Sequence, residues 1–382
     1  MNKVRTQQRP RLLVAGFVAL DVIFGLDDPA PRFYAGGTSG NASAGLAFLG
    51  WDVSAIGRLS QDVAGEMVRR DLGRWGVNTR YLGLAPAAST PIVLERIELR
   101  KNGVPKHRFL WNCPDCSSYF PPFRAVLRTQ VDLIKEEIDK PHVFFADRVS
   151  RSIVELARHY RSKGSVIYFE PSAGGDARLF REMLQLCDVL KYSAQRARPF
   201  AELLRHHKAQ LEIETLGEDG LRFRTRRAFT SWHSLPAYEV KIKDTAGSGD
   251  WTTVGFISSL LGNAKPGLGA ATGQDIIHSL KHGQAFAALN CRFEGARGAM
   301  YQLSQSKFIE AVATIEAEEP SVYEERKISL AQEISTCAVC PSCGPRPLTR
   351  PGQDGAATPQ VWGSVPLHSG RANQSRLVEP RR

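Results

Sequence analysis

The sequence predicts an α/β fold with a mostly parallel sheet, and two observations lead to this prediction. From Pro141 onward, short apolar segments typical of buried strands alternate with segments of helical spacing. Such alternation indicates strand–helix–strand units in which helices cover a parallel sheet. Glycine-rich loops also follow strands, at the carboxyl ends where parallel sheets bind ligands. The predicted strands are 143–145, 165–169, 188–191, 211–216 and 221–227, and the predicted helices are 152–162, 177–186, 198–206 and 276–291.

The first third of the chain predicts a strand, a helix and a projecting hairpin. Residues 11–19 are largely apolar and predict a buried strand, with Asp21 just past its end. In residues 36–50 glycines give way to alanine and leucine, which is typical of a loop that leads into a helix, and Gly50 ends it. Residues 90–99 alternate apolar and polar side chains beyond Val93, and 107–111 follow as a return strand. This hairpin predicts a small sheet beside the main body.

Composition bounds the class of protein. The 382 residues are 42% hydrophobic, enough for a sizeable core, and the formal net charge is +11. A nucleic-acid partner is disfavoured because no basic run is interleaved with aromatic residues. A membrane span is excluded because no run of about 18 uninterrupted apolar residues occurs, and Asp21 interrupts the apolar N-terminal stretch. A cytoplasmic protein is therefore expected. The segment 344–382 is rich in Pro, Gly, Ser, Gln and Arg, so a disordered tail is predicted there.

A second glycine-rich stretch, residues 244–251, has the sequence Asp-Thr-Ala-Gly-Ser-Gly-Asp-Trp. An apolar segment of helical spacing follows it, so the stretch reads as a loop entering a helix. Backbone amides and the helix dipole make such a place an anion site. A carboxylate at Asp250 would repel a phosphate, which suggests that it instead takes a proton from an attacking alcohol. The alternative is that Asp250 is a helix N-cap.

Taken in order, the motifs resemble the ribokinase-like, or PfkB, family of carbohydrate kinases. The resemblance covers about residues 12–300 and depends most on the 244–250 stretch. The matching features are a strand ending in Asp21, Gly36-Gly37 with Asn41, residues 57–62 with Gly65, the run 215–220, and 244–250. It implies a three-layer α/β core with a small β lid. The kinase domain would span 1–320, with the lid at about 27–37 and 88–121, followed by a C-terminal extension at 321–343. A homodimer formed through the lid is compatible with it.

The activity implied by the resemblance is ATP-dependent phosphorylation of a hydroxymethyl group on a sugar, a sugar-like small molecule or a nucleoside. Asp250 would be the base, and the amides of Gly247, Ser248 and Gly249 would bind the transferring phosphoryl group. The implied substrate residues are Asp21, Gly36, Gly37 and Asn41. The implied nucleotide residues are Ser193, Thr215, Gly217, Gly220 and, near the adenine, Asn290. Mg²⁺ would accompany ATP, and K⁺ would bind near Asp244 and the backbone around Ala296 and Gly298.

Three stretches of the chain depart from the family pattern. Ser193 and Arg196 stand where the family usually has Asn and Glu near the metal–phosphate site. Glu170-Pro171 stands where Asp is frequent, and Trp251 replaces a small residue beside the base. The large indole either reshapes the pocket or packs in the core. These departures motivate a second hypothesis, a catalytically weak ribokinase-like module used for binding or regulation.

Five of the seven cysteines fall into two groups, Cys113-Pro-Asp-Cys116 and Cys337-Ala-Val-Cys340-Pro-Ser-Cys343. Two Cys-x-x-Cys pairs supply the four thiolates of a structural Zn²⁺ site. We therefore predict zinc bound by Cys113, Cys116, Cys337 and Cys340, with Cys343 as an alternative ligand. Exposed free thiols and a redox pair remain open. Such a site would attach the C-terminal extension to the base of the lid.

Overall fold

The structure is a computed structural model that describes residues 9–25, 30–84, 89–99, 105–262, 267–318 and 334–343. All of these residues belong to one compact unit, Met1–Pro345. The predicted tail at 344–382 and most of the extension at 321–343 lie outside the described residues. Among the helices described, none has the length and apolar character needed to cross a bilayer.

Nine strands of the described residues form the main sheet, in the order β13-β12-β11-β10-β9-β8-β1-β4-β5. In this sheet the strands β5, β4, β1, β8, β9, β10 and β11 run parallel to one another. Strands β12 and β13 extend the sheet at the β11 end and are antiparallel. The predicted mostly parallel sheet is confirmed. The strands are β1 (Arg11–Ala15), β4 (Asp52–Leu59), β5 (Leu82–Leu84), β8 (Val143–Ala146), β9 (Val166–Phe169), β10 (Val189–Ser193), β11 (Leu211–Thr215), β12 (Leu221–Thr225) and β13 (His233–Leu235).

Helices cover both faces of this sheet, which gives the predicted three layers. Successive residues of β1 point to opposite faces: Leu12 and Val14 belong to one core cluster, Leu13 and Ala15 to the other. The first cluster includes side chains of α1 (Thr38–Phe48), α2 (Val63–Arg74), α8 (Ser248–Leu260), α10 (Gly273–Asn290) and α12 (Gln305–Glu316). The second includes side chains of α3 (Arg128–Glu137), α4 (Arg151–Ser162), α5 (Ala177–Leu186) and α7 (Ala201–Leu204). The remaining helices are α6 (Ala194–Ala197), α9 (Gly267–Ala270), α11 (Gly298–Gln302) and α13 (Thr336–Val339).

Four strands within the described segments form a second sheet, which we call the lid, in the order β3-β2-β6-β7. Its strands are β2 (Ala19–Phe24), β3 (Arg32–Gly36), β6 (Ile92–Leu99) and β7 (Pro105–Leu110). The hairpin predicted at 90–111 is thus present. The prediction for the first strand was wrong, because β1 ends at Ala15 and the chain then enters the lid. Asp21 therefore lies inside lid strand β2, not just past the end of a core strand, and the lid begins earlier than predicted.

Candidate active site

The start of helix α8 is held in place by a glycine turn. Gly247 has φ 72°, in the left-handed region, and is the N-cap residue of α8. A Cβ atom there would lie 2.2 Å from the carbonyl oxygen of Ala296, so only glycine fits. The backbone amides of Ser248 and Gly249 open the helix, where N–H groups lack intrahelical acceptors. The Ser248 amide also lies 3.3 Å from the carbonyl oxygen of Thr245. The predicted loop entering a helix is therefore present, and anion binding by this turn stays a prediction.

Asp250 lies in the first turn of α8 but does not cap it, because the N-cap is Gly247. Its carboxylate accepts a hydrogen bond of 2.7 Å from the side-chain amide of Asn41, on helix α1. Burial raises the pKa of Asp250 to about 6; the nearby charge of Glu170 adds to this, and the Asn41 hydrogen bond opposes it. A buried carboxylate with a pKa in this range is suited to accept a proton near neutral pH. The helix-cap alternative is excluded.

A buried ion pair supports the first turn of α8. Lys191, only 1% exposed, lies in β10 and pairs with Glu170, which follows β9. The same ammonium donates a 3.0 Å hydrogen bond to the carbonyl oxygen of Gly249, and Glu170 accepts one from Thr253. These contacts tie the ends of two sheet strands to the turn that carries Asp250. Sequence reasoning missed the roles of Lys191 and Thr253, although a lysine inside an apolar strand is itself a signal.

The residues predicted to bind substrate are brought together between the lid and the core. The backbone amide of Gly37 donates a hydrogen bond to the Asp21 carboxylate. A Cβ at Gly36 would lie 1.8 Å from an Asp21 oxygen, so the β3 backbone lies directly against this carboxylate. Burial raises the pKa of Asp21 to about 7, with Arg297 opposing and Asp250 adding to the rise. Asp21 and Asn41 line one pocket.

Other polar groups line the same pocket and were not predicted as part of it. Arg32 pairs with Glu294 at 2.5 Å, and Arg297 pairs with Asp71 at 2.8 Å. Four buried polar atoms of the pocket residues have no hydrogen-bond partner among the residues that the structure describes. They are Asn41 Oδ1, Arg32 Nε, Arg297 Nη1 and Gln302 Oε1. Because unpaired buried polar atoms are costly, they indicate a ligand that carries several hydrogen-bonding groups.

The predicted nucleotide residues lie at strand ends in the main sheet, with one exception. Ser193 and Thr215 are partners in the parallel register of β10 and β11 and are the last residues of these strands. Gly217 begins the short 3₁₀ turn that follows β11, and Gly220 is its C-cap residue. Arg196, on α6, is exposed, and its charge lowers the pKa of Asp250, so it faces the site. The carboxyl ends of these strands therefore converge as predicted.

Asn290 is the exception, because it is fully buried and cannot lie at an adenine. Its side-chain amide nitrogen contacts three backbone carbonyl oxygens: Ala246 at 3.2 Å, Gly295 at 3.3 Å and Ala296 at 3.2 Å. The side-chain oxygen of Asn290 accepts a hydrogen bond from the backbone amide of Ala299. The prediction was wrong because position near the end of a helix does not reveal which way the side chain points. Asn290 instead joins the loop before α8 to the loop before α11.

Trp251 packs in the core and does not reshape the pocket. It is 1% exposed, and its ring centroid lies 4.9 Å from that of Phe308 and 6.1 Å from that of Phe286. Its indole N–H donates a 3.0 Å hydrogen bond to the carbonyl oxygen of Ala296. Of the two readings of this residue, the structure supports core packing, so Trp251 is no reason to expect an altered substrate pocket.

The cysteines form a separate cluster, with one change from the predicted set. Cys113, Cys116, Cys340 and Cys343 have their sulfur atoms within 4.8 Å of one another. Cys337, predicted as a member, is replaced by Cys343, the predicted alternative. Cys337 lies on the short helix α13, and its sulfur reaches Cys343 at 3.3 Å. Cys337 therefore contacts the cluster through Cys343 but is not one of its four members.

Comparison with known proteins agrees with this architecture. The profile of the pfkB family carbohydrate kinases matches residues 26–302. A relative described as ATP-dependent ribose-1-phosphate kinase, from Halopiger xanaduensis, is 26% identical over 314 residues, covering 76% of this chain and 94% of its own. The fructokinase of Escherichia coli is 25% identical over 255 residues, covering 59% of this chain and 76% of its own.

Solved structures share the fold. Aminoimidazole riboside kinase from Salmonella enterica, complexed with aminoimidazole riboside and an ATP analog, has a TM-score of 0.58 at 19% identity and covers 79% of this chain and 99% of its own. A fructokinase double mutant from Vibrio cholerae, in a form bound to fructose, ADP and potassium ion, has a TM-score of 0.60 at 18% identity, with coverages of 81% and 100%. At these identities the likeness establishes the fold.

Proposed function

Because the chain belongs to the pfkB family of carbohydrate kinases, it is an ATP-dependent phosphotransferase acting on a sugar-like small molecule, and we propose that Asp250 is its base. The observation that carries this proposal is the position of Asp250. It lies in the first turn of α8, it is hydrogen-bonded to Asn41, and it is close enough to the lid residue Asp21 for the two charges to interact. A base beside an anion-binding turn is what phosphoryl transfer to an alcohol requires.

The chemistry then follows from the placement of the side chains. A substrate hydroxyl donates its proton to the Asp250 carboxylate while its oxygen forms a bond to the γ-phosphorus of ATP. The bond between that phosphorus and the β,γ-bridging oxygen breaks, and ADP leaves. The amides of Gly247, Ser248 and Gly249 donate to the transferring phosphoryl oxygens, as preorganised donors that need no reorganisation. Lys191 fixes this turn through the Gly249 carbonyl.

The substrate is proposed to be a polyhydroxylated molecule held between lid and core. Asp21 accepts from sugar hydroxyls, and the unpaired atoms of Asn41, Arg32, Arg297 and Gln302 supply further hydrogen bonds. Sugars and nucleosides both carry such hydroxyls, and the similar proteins include a fructokinase and an aminoimidazole riboside kinase. A nucleoside kinase therefore stays an alternative for the substrate, since the ribose moiety would use the same groups.

ATP is proposed to bind along the ends of β10 and β11, with Ser193, Thr215, Gly217 and Gly220 lining its site. Mg²⁺ would be held mainly by the phosphates, which is common for this ion. Among the described residues, the one group of three or more side chains placed to ligate a metal is the cysteine cluster. The Ser193 and Arg196 positions thus offer no carboxylate to Mg²⁺, and Arg196 instead places a positive charge near the phosphates.

Several oxygens of the residues predicted to bind K⁺ are already engaged by protein donors. Both Asp244 carboxylate oxygens accept backbone hydrogen bonds, from Ala246 at 2.9 Å and Gly295 at 2.8 Å. The Ala296 carbonyl accepts from the Trp251 indole, and the Asn290 amide contacts the carbonyls of both neighbouring loops. Protein donors therefore compete with a monovalent cation for these oxygens, and we propose that the enzyme works without K⁺.

A homodimer through the lid stays a prediction. Exposed apolar side chains on and after β6 and β7 support it, since large exposed apolar groups often mark contacts. They are Leu99, Phe109, Trp111 and Tyr119. Light scattering of the purified protein would measure its mass in solution directly, and a monomer at micromolar concentration would contradict the prediction.

Turnover of ATP over a panel of sugars, sugar phosphates and nucleosides tests the function. Asp250→Asn should reduce kcat by roughly 10²- to 10⁴-fold, because proton transfer from the hydroxyl is lost. Asp21→Asn should instead raise KM, because it weakens hydroxyl binding. Activity that survives Asp250→Asn would remove the mechanism. Absence of turnover with the whole panel, together with retained ligand binding, would favour the weak binding or regulatory module.

A further inference from the structure

The cysteine cluster has no part in the proposed phosphoryl transfer. It joins two segments far apart in the chain: the loop after lid strand β7 and the turn that follows α13. The sulfurs of Cys113 and Cys343 are 3.7 Å apart, and those of Cys116 and Cys340 are 3.8 Å apart. Both pairs therefore span the two segments.

These spacings fit four thiolates around one metal ion. With Zn–S bonds of about 2.3 Å, the edge of a regular tetrahedron is about 3.8 Å. A disulfide would bring two sulfurs to about 2.05 Å. The observed separations match the tetrahedral edge and are far from the disulfide distance.

The backbone holds the sulfur atoms together in two tight turns. Ser117 donates a 2.9 Å hydrogen bond to the carbonyl oxygen of Cys113, and Cys113 donates one of 2.9 Å to that of Ser118. In the second segment the amide of Cys343 lies 3.2 Å from the carbonyl oxygen of Cys340. Each turn presents two sulfurs to the same point, which is how Cys-x-x-Cys pairs bind structural metals.

We propose that Cys113, Cys116, Cys340 and Cys343 bind one Zn²⁺ ion. All four positions of the tetrahedron are filled by protein, so the site is structural and leaves no place for a reacting water. The zinc fastens the segment 334–343 to the base of the lid. Val339 of that segment is buried in the core cluster that also contains α2. The ion thereby connects the lid to the helical layer by a second route, independent of the active-site pocket.

Metal analysis of the full-length protein, purified without added chelator, tests the proposal. One zinc per chain is expected. Cys116→Ser and Cys340→Ser should lose it, whereas Cys337→Ser, the matched control on the same segment, should keep it. Loss of zinc from Cys337→Ser with retention in Cys343→Ser would overturn the assignment of ligands. Wild-type protein without zinc, even after refolding in its presence, would overturn the site itself.

Cobalt substitution keeps the test independent of whether the variants fold. Co²⁺ in the wild type should give the intense thiolate charge-transfer and ligand-field absorption of a tetrahedral Cys₄ site, at one equivalent. An octahedral Co²⁺ spectrum would contradict the proposal. The kinase proposal is separate, because Asp250→Asn should bind zinc fully while losing turnover.

Discussion

At the scale of single residues, the protonation of Asp250 is set by opposing influences. Burial raises its pKa to about 6, Glu170 adds to the rise, and the hydrogen bond from Asn41 works against both. A base must be ionised to accept a proton, so kcat/KM should fall as the pH drops through about 6. Asn41→Ala removes the stabilising hydrogen bond and should move this acidic limb to higher pH.

A pH–rate profile of wild type and Asn41→Ala measures this shift. Asn78→Ala is a suitable control, because Asn78 is exposed and its amide bonds to Ser54, another side chain. In the Asn78→Ala control, the acidic limb of the pH–rate profile should lie at the same pH as in wild type. An Asn41→Ala profile with lower rates but an unmoved limb would show that Asn41 binds substrate without tuning the base.

Asn290 carries a second prediction at this scale. Its amide group donates to a cluster of three carbonyl oxygens where a monovalent cation was expected. The wild-type rate should therefore be unchanged when K⁺ is replaced by tetramethylammonium, a cation too large to enter. Asn290→Ala exposes these carbonyls, and added K⁺ should restore part of the activity that the variant loses. A wild-type enzyme that requires K⁺ would contradict this account.

The limits of sequence reasoning are clearest at these residues. Asp250, Asn41 and Gly247 were found because their chemistry is local: a glycine turn, a helix start and a carboxylate within a few positions. Lys191 and Arg297 were missed, and Asn290 was misplaced, because their partners come from distant segments. Which carbonyl or carboxylate a buried side chain meets is decided by packing, and one sequence does not show it.

At the scale of elements, Asp71 connects three parts of the molecule. Asp71 lies on helix α2, and its carboxylate accepts three hydrogen bonds. The donors are the Ala35 amide on lid strand β3, Arg297 before α11, and Tyr301 in α11. Arg297 is 3% exposed. Asp71→Asn leaves this guanidinium buried without its counter-charge, a change that costs about 3–5 kcal/mol in comparable sites.

Denaturant unfolding of Asp71→Asn should therefore show a markedly lower free energy of unfolding than wild type. Asp52→Asn is the matched control, because Asp52 is exposed at the start of β4. That variant should differ from wild type by less than about 0.5 kcal/mol. Equal stability of Asp71→Asn and wild type would mean that the three elements are held by other contacts.

Element boundaries also show why part of the fold was predicted and part was not. Helix α5 matched its predicted bounds because its apolar period and flanking residues agree. The predicted strand at 11–19 extends beyond the end of β1 at Ala15, because the apolar run from Leu12 to Ala19 conceals a break. The chain turns there where the Phe17 amide donates a 2.7 Å hydrogen bond to Asp147, a residue 130 positions away. The periodicity of apolar residues does not reveal such a long-range contact.

At the scale of the whole molecule, lid and core enclose carboxylates that the unliganded protein buries at a cost. The pKa of Asp21 is raised to about 7 and that of Glu95 well above its usual value, burial being the main cause for both. Buried carboxylates of this kind contribute more to ligand binding than to the stability of the fold, as is common in binding sites. Substrate hydroxyls would return hydrogen bonds to Asp21, so ligand binding and stability are linked.

This burial has a defined effect on stability. A carboxyl group whose pKa is higher in the folded state stabilises the protein while it is protonated, and this stabilisation is lost as the pH rises through the folded-state pKa. The contribution of Asp21 to the free energy of unfolding should therefore be larger near pH 6.5 than near pH 8. His159 has the opposite effect on stability below about pH 6.5, because burial lowers its pKa. Stabilities should therefore be compared at pH values of 6.5 and above.

Thermal unfolding across this range, followed by circular dichroism, measures the effect, and Asp21→Asn isolates its source. The amide cannot ionise, so the variant should be more stable than wild type near pH 8, and this difference should shrink near pH 6.5, because Glu95 and the other titrating groups are common to both proteins. A sugar that binds Asp21 as proposed should stabilise the wild type more than the variant. If Asp21→Asn is less stable than wild type near pH 8, the carboxylate holds lid to core in the absence of ligand, and its burial is structural.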